Sequence, residues 1–148
     1  SSPALKPALN TSQLLQLKVM SKIAPNFVLE RSLNPRRLTH DLKVAQAYND
    51  DELVHGFVSA KLVQWIITTG QQCIDHAGEL EVPTLILASN ADVVIDPNGV
   101  REFVRAAPKD RITEQWFEDY FHEIFNEDRA RREIAVQSLI TWLDSQGK

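Results

Sequence analysis

The 148-residue chain holds a single cysteine, Cys73, so no internal disulfide can form and the stapled secreted-domain class is excluded. Basic residues are in the minority, 16 Lys+Arg against 20 Asp+Glu for a net charge of -4, which leaves no footprint for a phosphate backbone and excludes nucleic acid as a partner. No apolar run approaches the roughly 20 residues a membrane-spanning helix needs. None of the five glycines sits in a G-x-S-x-G, so the strand-turn-helix elbow that presents a nucleophilic serine is missing from these residues. The chain opens on Ser-Ser-Pro, with neither Met nor the charged-then-apolar layout of a signal peptide, and the cytoplasm is the expected compartment.

What remains is about one domain's worth of chain with globular composition, 43% hydrophobic and 24% charged. Up to about Glu81 it reads as helices. Ser12 is the expected cap of a first helix whose Leu14, Leu15, Leu17, Val19, Met20 and Ile23 predict a broad buried face, with Pro25 as its stop. Asn34-Pro35 starts a short turn of helix through Leu38, and the stretch from Asp41 to Tyr48 is read as helical. From Ser59 to about His76, Leu62, Val63, Trp65, Ile66, Thr69 and Cys73 fit a helical stripe, with Gly70 as an interior penalty of roughly 1 kcal/mol and Gly78 as terminator.

At Pro83 the texture changes. Thr84 to Ser89 is a continuous apolar, β-favouring run of the kind covered on both faces in a parallel sheet. A helix from Pro97 or Asn98 to about Ala107, a strand from Ile112 to Phe117 and a last helix from Asp128 to Ser145 follow. That last helix is expected to turn Ile134, Leu139, Ile140, Trp142 and Leu143 toward a core. Strand, helix, strand, helix predicts an α/β layer structure. Open parallel sheets usually hold more than two strands, so the expectation is that further strands lie upstream of Ser1.

Asp92 follows the first strand and His122 the second, at a separation of 122 − 92 = 30 residues that fits one loop, one crossover helix and one strand. Ligands bind at the carboxyl ends of strands in such sheets, so the two residues can meet there. A carboxylate that accepts from imidazole Nδ1 fixes the tautomer whose Nε2 takes a proton, which supplies two thirds of a Ser-His-Asp triad.

The run VPTLILASNADVVIDP, then EQWFEDYFHEIFNE and the closing LITWLD, resembles the C-terminal half of an α/β-hydrolase of the monoacylglycerol lipase and lysophospholipase group. That family places its acid in a G-x-x-D setting after a strand and its histidine in an H-E setting before the last helix. SSPAL is similar to the end of the strand before the lid, and RRLTHD with YNDDELVHG resembles the lid itself. The resemblance implies a helical lid over residues 1–82 and the C-terminal part of the hydrolase core over 83–148, with Asp92 as acid and His122 as base. It also implies a small lipid-like ester substrate, no metal or organic cofactor, peripheral membrane contact through the lid, and association with another chain or with an N-terminal half. The serine and the oxyanion loop of the family precede the lid, which puts them before Ser1. This chain departs from the family pattern at Ser89, where Gly is usual, and at Glu52, where Pro is usual. Two alternatives stay open: a non-catalytic interaction module on the same scaffold, and a relative with an acidic nucleophile, such as an epoxide hydrolase or a dehalogenase.

The other polar residues read as structural. Asp96 before Pro97 suits an N-cap. His122-Glu123 opens an H-E-x-x-H, but Asn126 stands at the fifth position and the zinc reading fails, leaving Glu123 as a supporting or surface residue. His40, His55 and His76 lack metal-ligand spacing and are assigned no chemistry, and Cys73 is expected to be a small buried hydrophobe. Glu127, Asp128, Arg129, Arg131, Arg132 and Glu133 read as the solvated face of the last helix, and Arg36 and Arg37 as solvated too. Leu14, Leu15, Leu17, Met20, Ile23, Phe27, Phe57 and Trp65 either line an acyl channel or pack the lid on the core.

Overall fold

A computed structural model describes residues 1–30 and 33–147. The chain runs α1 (Thr11–Ile23), β1 (Val28–Glu30), α2 (Leu42–Asp50), β2 (Phe57–Ser59), α3 (Ala60–Asp75), β3 (Thr84–Ser89), α4 (Pro97–Ala106), β4 (Ile112–Phe117) and α5 (Arg129–Gln146), with 3-10 turns at Pro35–Arg37, Ala77–Glu79 and Ile124–Asn126.

Asn10, not Ser12, caps α1. The Asn10 side chain accepts from the Gln13 amide at 2.9 Å while the Gln13 side chain accepts from the Asn10 amide at 3.0 Å. This reciprocal box needs Gln or Glu three residues after the cap; Gln13 meets that for Asn10, whereas Leu15 stands there for Ser12. The broad buried face does not form either. Only Leu17 is buried on α1, in a cluster with Ala60 and Val63 against which Met20 and Ile67 pack, and Leu15 and Ile23 face outward. A helix with one packing neighbour can bury only a narrow stripe.

β1 and β2 form an antiparallel pair from Val28 opposite Ser59 to Glu30 opposite Phe57, an element too short to carry a sequence pattern. Asp41 caps α2 through the amides of Lys43 and Val44, and Ser59 caps α3 through the amide of Leu62. Cys73 is exposed on α3 rather than buried, because the inward stripe of that helix runs through Ala60, Val63, Gly70 and Ile74. Gly70 is there for space: a Cβ would lie 2.4 Å from the Leu5 carbonyl oxygen and 2.8 Å from that of Ala4. Gly99 on α4 gives the same clearance to Lys6, with a Cβ 2.8 Å from its amide nitrogen. The N-terminal segment therefore threads against both helices, pinned by the Ser2 amide on the Leu87 carbonyl at 3.0 Å and the Asp96 amide on the Lys6 carbonyl at 3.1 Å.

β3 and β4 pair in parallel from Thr84 opposite Ile112 to Ser89 opposite Phe117, as the apolar run of β3 predicts. One face of this pair packs Ile86 and Ala88 against Leu5, Ile74, Val100 and Val104; the other packs Leu87 and Phe117 against Tyr120, Ile124 and Ala135. Asp96 caps α4 through the Asn98 amide, as its position before Pro97 suggests. α5 departs from expectation. It buries only Ala135: Ile134 stays exposed beside a groove of about 890 Å³ that it lines with Leu85 and Trp142, and Ile140 and Leu143 are exposed outside that groove. Among the described residues no helix is long and apolar enough to cross a membrane.

Candidate active site

β3 and β4 end side by side, so the loops that leave them share one rim of the sheet. Ser89, the last residue of β3, is almost fully buried; its hydroxyl donates to the Tyr120 carbonyl and accepts from the Ala91 amide at 3.1 Å. The side chain at the family's usual Gly position thus staples the two loops together. Beside it the Asn90 amide donates to the Phe117 carbonyl at 2.9 Å. Tyr120 packs its ring on Phe117, with centroids 4.4 Å apart, and donates its hydroxyl to the Arg131 carbonyl at 2.9 Å. Burial raises the Tyr120 pKa above its ordinary value, because the phenolate would lose hydration.

On this scaffold the Asp92 and His122 side chains meet. His122 Nδ1 lies 2.8 Å from Asp92 Oδ2, with side-chain exposures of 23% and 1%. Asp92 Oδ1 accepts from the amides of Val94 at 2.8 Å and Ile95 at 3.2 Å, so both carboxylate oxygens are engaged. A carboxylate only accepts, so Nδ1 carries the hydrogen and the neutral ring offers Nε2 as acceptor. The arrangement can therefore orient an imidazole, take up a proton at Nε2 and stabilise the resulting imidazolium.

One space opens on His122 and another lies against the loop that follows Asp92. A cavity of about 360 Å³ is lined by Ser1, Ser2 and the segment from His122 to Asn126. A second, mostly apolar, of about 240 Å³, lies where Val58, Val63, Ile66 and Ile67 face Val94 and Ile95, the residues whose amides hold Asp92. None of the eight residues weighed as an acyl channel lines it; Leu17 and Met20 instead pack on α3. Val63 and Ile66 do, and the periodicity of α3 was the signal that pointed to them.

Sequence reasoning misplaced one charge altogether. Glu127, expected on a solvated helix face, is fully buried ahead of α5 and bonded to His40 and to the Phe121 amide. The helix begins two residues later, at Arg129 with Asp128 as cap, so Glu127 belongs to the loop and follows no helical face. His40 is accordingly a satisfied histidine. His76 is exposed beside Glu79, which raises its pKa through a hydrogen bond and charge. Among the described residues no three His, Cys, Asp or Glu side chains converge as metal ligands.

An acid after one parallel strand, bonded to a histidine after the next, belongs to the α/β-hydrolase architecture. The fold agrees: over 98% of the chain it matches the crystal structure of Paleococcus ferrophilus monoacylglycerol lipase, covering 57% of that chain with a TM-score of 0.87 and 28% identity. Residues 1–129 match the family described as serine aminopeptidase, S33, and the chain belongs to that family. A putative monoglyceride lipase of Schizosaccharomyces pombe is 24% identical over 132 residues, 89% of this chain and 35% of the relative. A soluble variant of monoglyceride lipase from Saccharomyces cerevisiae, solved with a substrate analog, shares the fold with a TM-score of 0.79 and 18% identity, over 92% of this chain and 50% of that one. The chain thus spans about half the length of these two solved structures and about a third of the Schizosaccharomyces pombe relative.

Proposed function

We propose that this chain supplies the acid and the base of a serine hydrolase that cleaves carboxylic esters of lipid-like substrates of the monoacylglycerol type. The observation that carries this reading is the 2.8 Å bond from His122 Nδ1 to Asp92 Oδ2, made by a carboxylate already held by two backbone amides. The serine is assigned to the parent protein, upstream of Ser1, on a strand end that reaches the same rim. In the reaction its Oγ attacks the ester carbonyl while His122 Nε2 takes the hydroxyl proton. Asp92 holds the ring in place and stabilises its positive charge, and upstream backbone amides hold the oxyanion. His122 then passes the proton to the departing alcohol, and water repeats the sequence on the acyl-enzyme.

Residues 1–82 serve as the lid in this reading, and the apolar cavity between α3 and the Asp92 loop receives part of the acyl chain. Each methylene taken out of water there contributes about 0.8 kcal/mol. Replacing His122 by Ala in the parent enzyme should lower kcat for a 4-nitrophenyl ester by about three orders of magnitude or more. Near-normal turnover in that variant ends the assignment. Labelling of the parent by a fluorophosphonate distinguishes the serine mechanism from one with an acidic nucleophile, which the reagent leaves untouched.

A further inference from the structure

We propose that Glu127 and His40 are positioning residues for His122, forming a clasp through which the helical half of the chain sets the orientation of the base. The inference rests on the reading of His122 as general base given above. Glu127 is a carboxylate with a fully buried side chain and more than one donor: Oε1 accepts from the Phe121 amide at 2.5 Å, Oε2 from the His40 amide at 2.8 Å, and His40 Nδ1 lies 3.0 and 2.9 Å from the two oxygens. Phe121 immediately precedes His122, and its ring stacks on that of His40 with centroids 3.8 Å apart and planes 19° from parallel.

The residue after His122 is held from the same side. The Glu123 amide donates to the Leu38 carbonyl at 2.8 Å, and the Thr39 hydroxyl donates to the Asn126 carbonyl at 2.6 Å. The backbone on both sides of His122 is therefore bonded either to the segment 38–40 or to the carboxylate that also grips it. Asp92 fixes one ring atom of His122, but the direction of Nε2 also depends on where the backbone carrying the ring is held. A shift of about 1 Å in a reacting group can cost about a hundredfold in rate. A buried carboxylate also tolerates no halfway substitute: Gln in its place keeps one acceptor oxygen and turns an amide NH₂ toward either the Phe121 or the His40 N–H.

The test uses the full-length enzyme with Glu127→Gln, His40→Leu and His40→Asn, the last keeping a donor close to the place of Nδ1. Three readouts are taken: kcat and KM for a 4-nitrophenyl ester, the melting curve by circular dichroism, and the proton resonance of the N–H shared by His122 and Asp92. Glu127→Gln and His40→Leu should lower kcat about ten- to a hundredfold with KM changed less than about twofold, and should broaden that resonance. His40→Asn should recover most of the kcat and the sharp resonance. Values of kcat within about twofold of the parent for Glu127→Gln and His40→Leu, with the resonance unchanged, overturn the proposal. If Glu127→Gln does not fold, the His40 pair decides by the same criteria. A His122→Ala enzyme that stays active defeats the catalytic reading and with it the clasp that rests on it, whereas a kcat and an imidazole resonance both indifferent to Glu127 and His40 defeat the clasp alone.

Discussion

The segments on either side of Pro83 treat their apolar residues differently. After Pro83, β3 has a cluster on each face, and Val100 and Ile124 are at most 1% exposed, while the middle of β4 and the outer side of α5 stay open. Before it, Leu5 and Ile74 join the cluster on β3 and α1 and α3 share a second, small one, while Leu15, Ile23, Leu53 and Trp65 lie in the open. A strand between two layers has no choice of face, so its composition fixes its burial; a helix with one neighbour buries whatever stripe that neighbour reaches. The first helices are also tied at their N-terminal ends, through Asn10, Asp41 and Ser59.

The sharpest way to break this contrast is a pair of truncations. Ile124→Ala should cost about 2–5 kcal/mol in chemical denaturation, whereas Leu15→Ala should stay within about 0.5 kcal/mol. Equal effects would mean that the outward residues of α1 are covered in solution. Gly70→Ala comes next, at about 1–3 kcal/mol, because the added carbon must displace the Leu5 carbonyl. Hydrogen exchange should then quicken at the Asp96 amide, which bonds the neighbouring Lys6 carbonyl. Unchanged protection would show that the segment is not held where α3 needs the space.

The smallest effect concerns Tyr120. Its phenol pKa is raised by burial, so the unfolded chain releases that proton first as the pH climbs. The contribution is complete below the ordinary tyrosine value of about 10 and is lost as the pH rises through the higher folded value. Tyr120→Phe should lose about 1 kcal/mol at neutral pH through the missing bond to Arg131 and should show a shallower alkaline decline. Denaturation at a series of pH values reads both, and parallel curves for the two proteins would contradict the burial argument.

Much of this was legible in the residues. The parallel pair could be read because Leu85 to Ala88 is apolar at four successive positions, as a doubly covered strand needs. The meeting of Asp92 with His122 followed from strand-end topology, which brings residues 30 apart in sequence to one rim. Glu127 was illegible because its charge neighbours belong to a helix that has not yet started, and nothing local marks a loop carboxylate as the acceptor for His40, 87 residues away. Cys73 and the outer side of α1 were misread for a related reason: periodicity tells which residues share a face, but not how wide a partner that face will find. The role of Gly70 was hidden too, since its reason is a backbone carbonyl at the far end of the chain.

That carbonyl belongs to a six-residue leash with consequences for how the protein comes apart. Residues 2–7 touch β3, α3, α4 and the loop after Asp92 without any covalent link, through the Ser2, Lys6 and Pro7 backbones and two glycine notches. An element that grips several others adds its loss to the cost of detaching any one of them, and so raises cooperativity. The small helical cluster should therefore melt in step with the sheet rather than ahead of it.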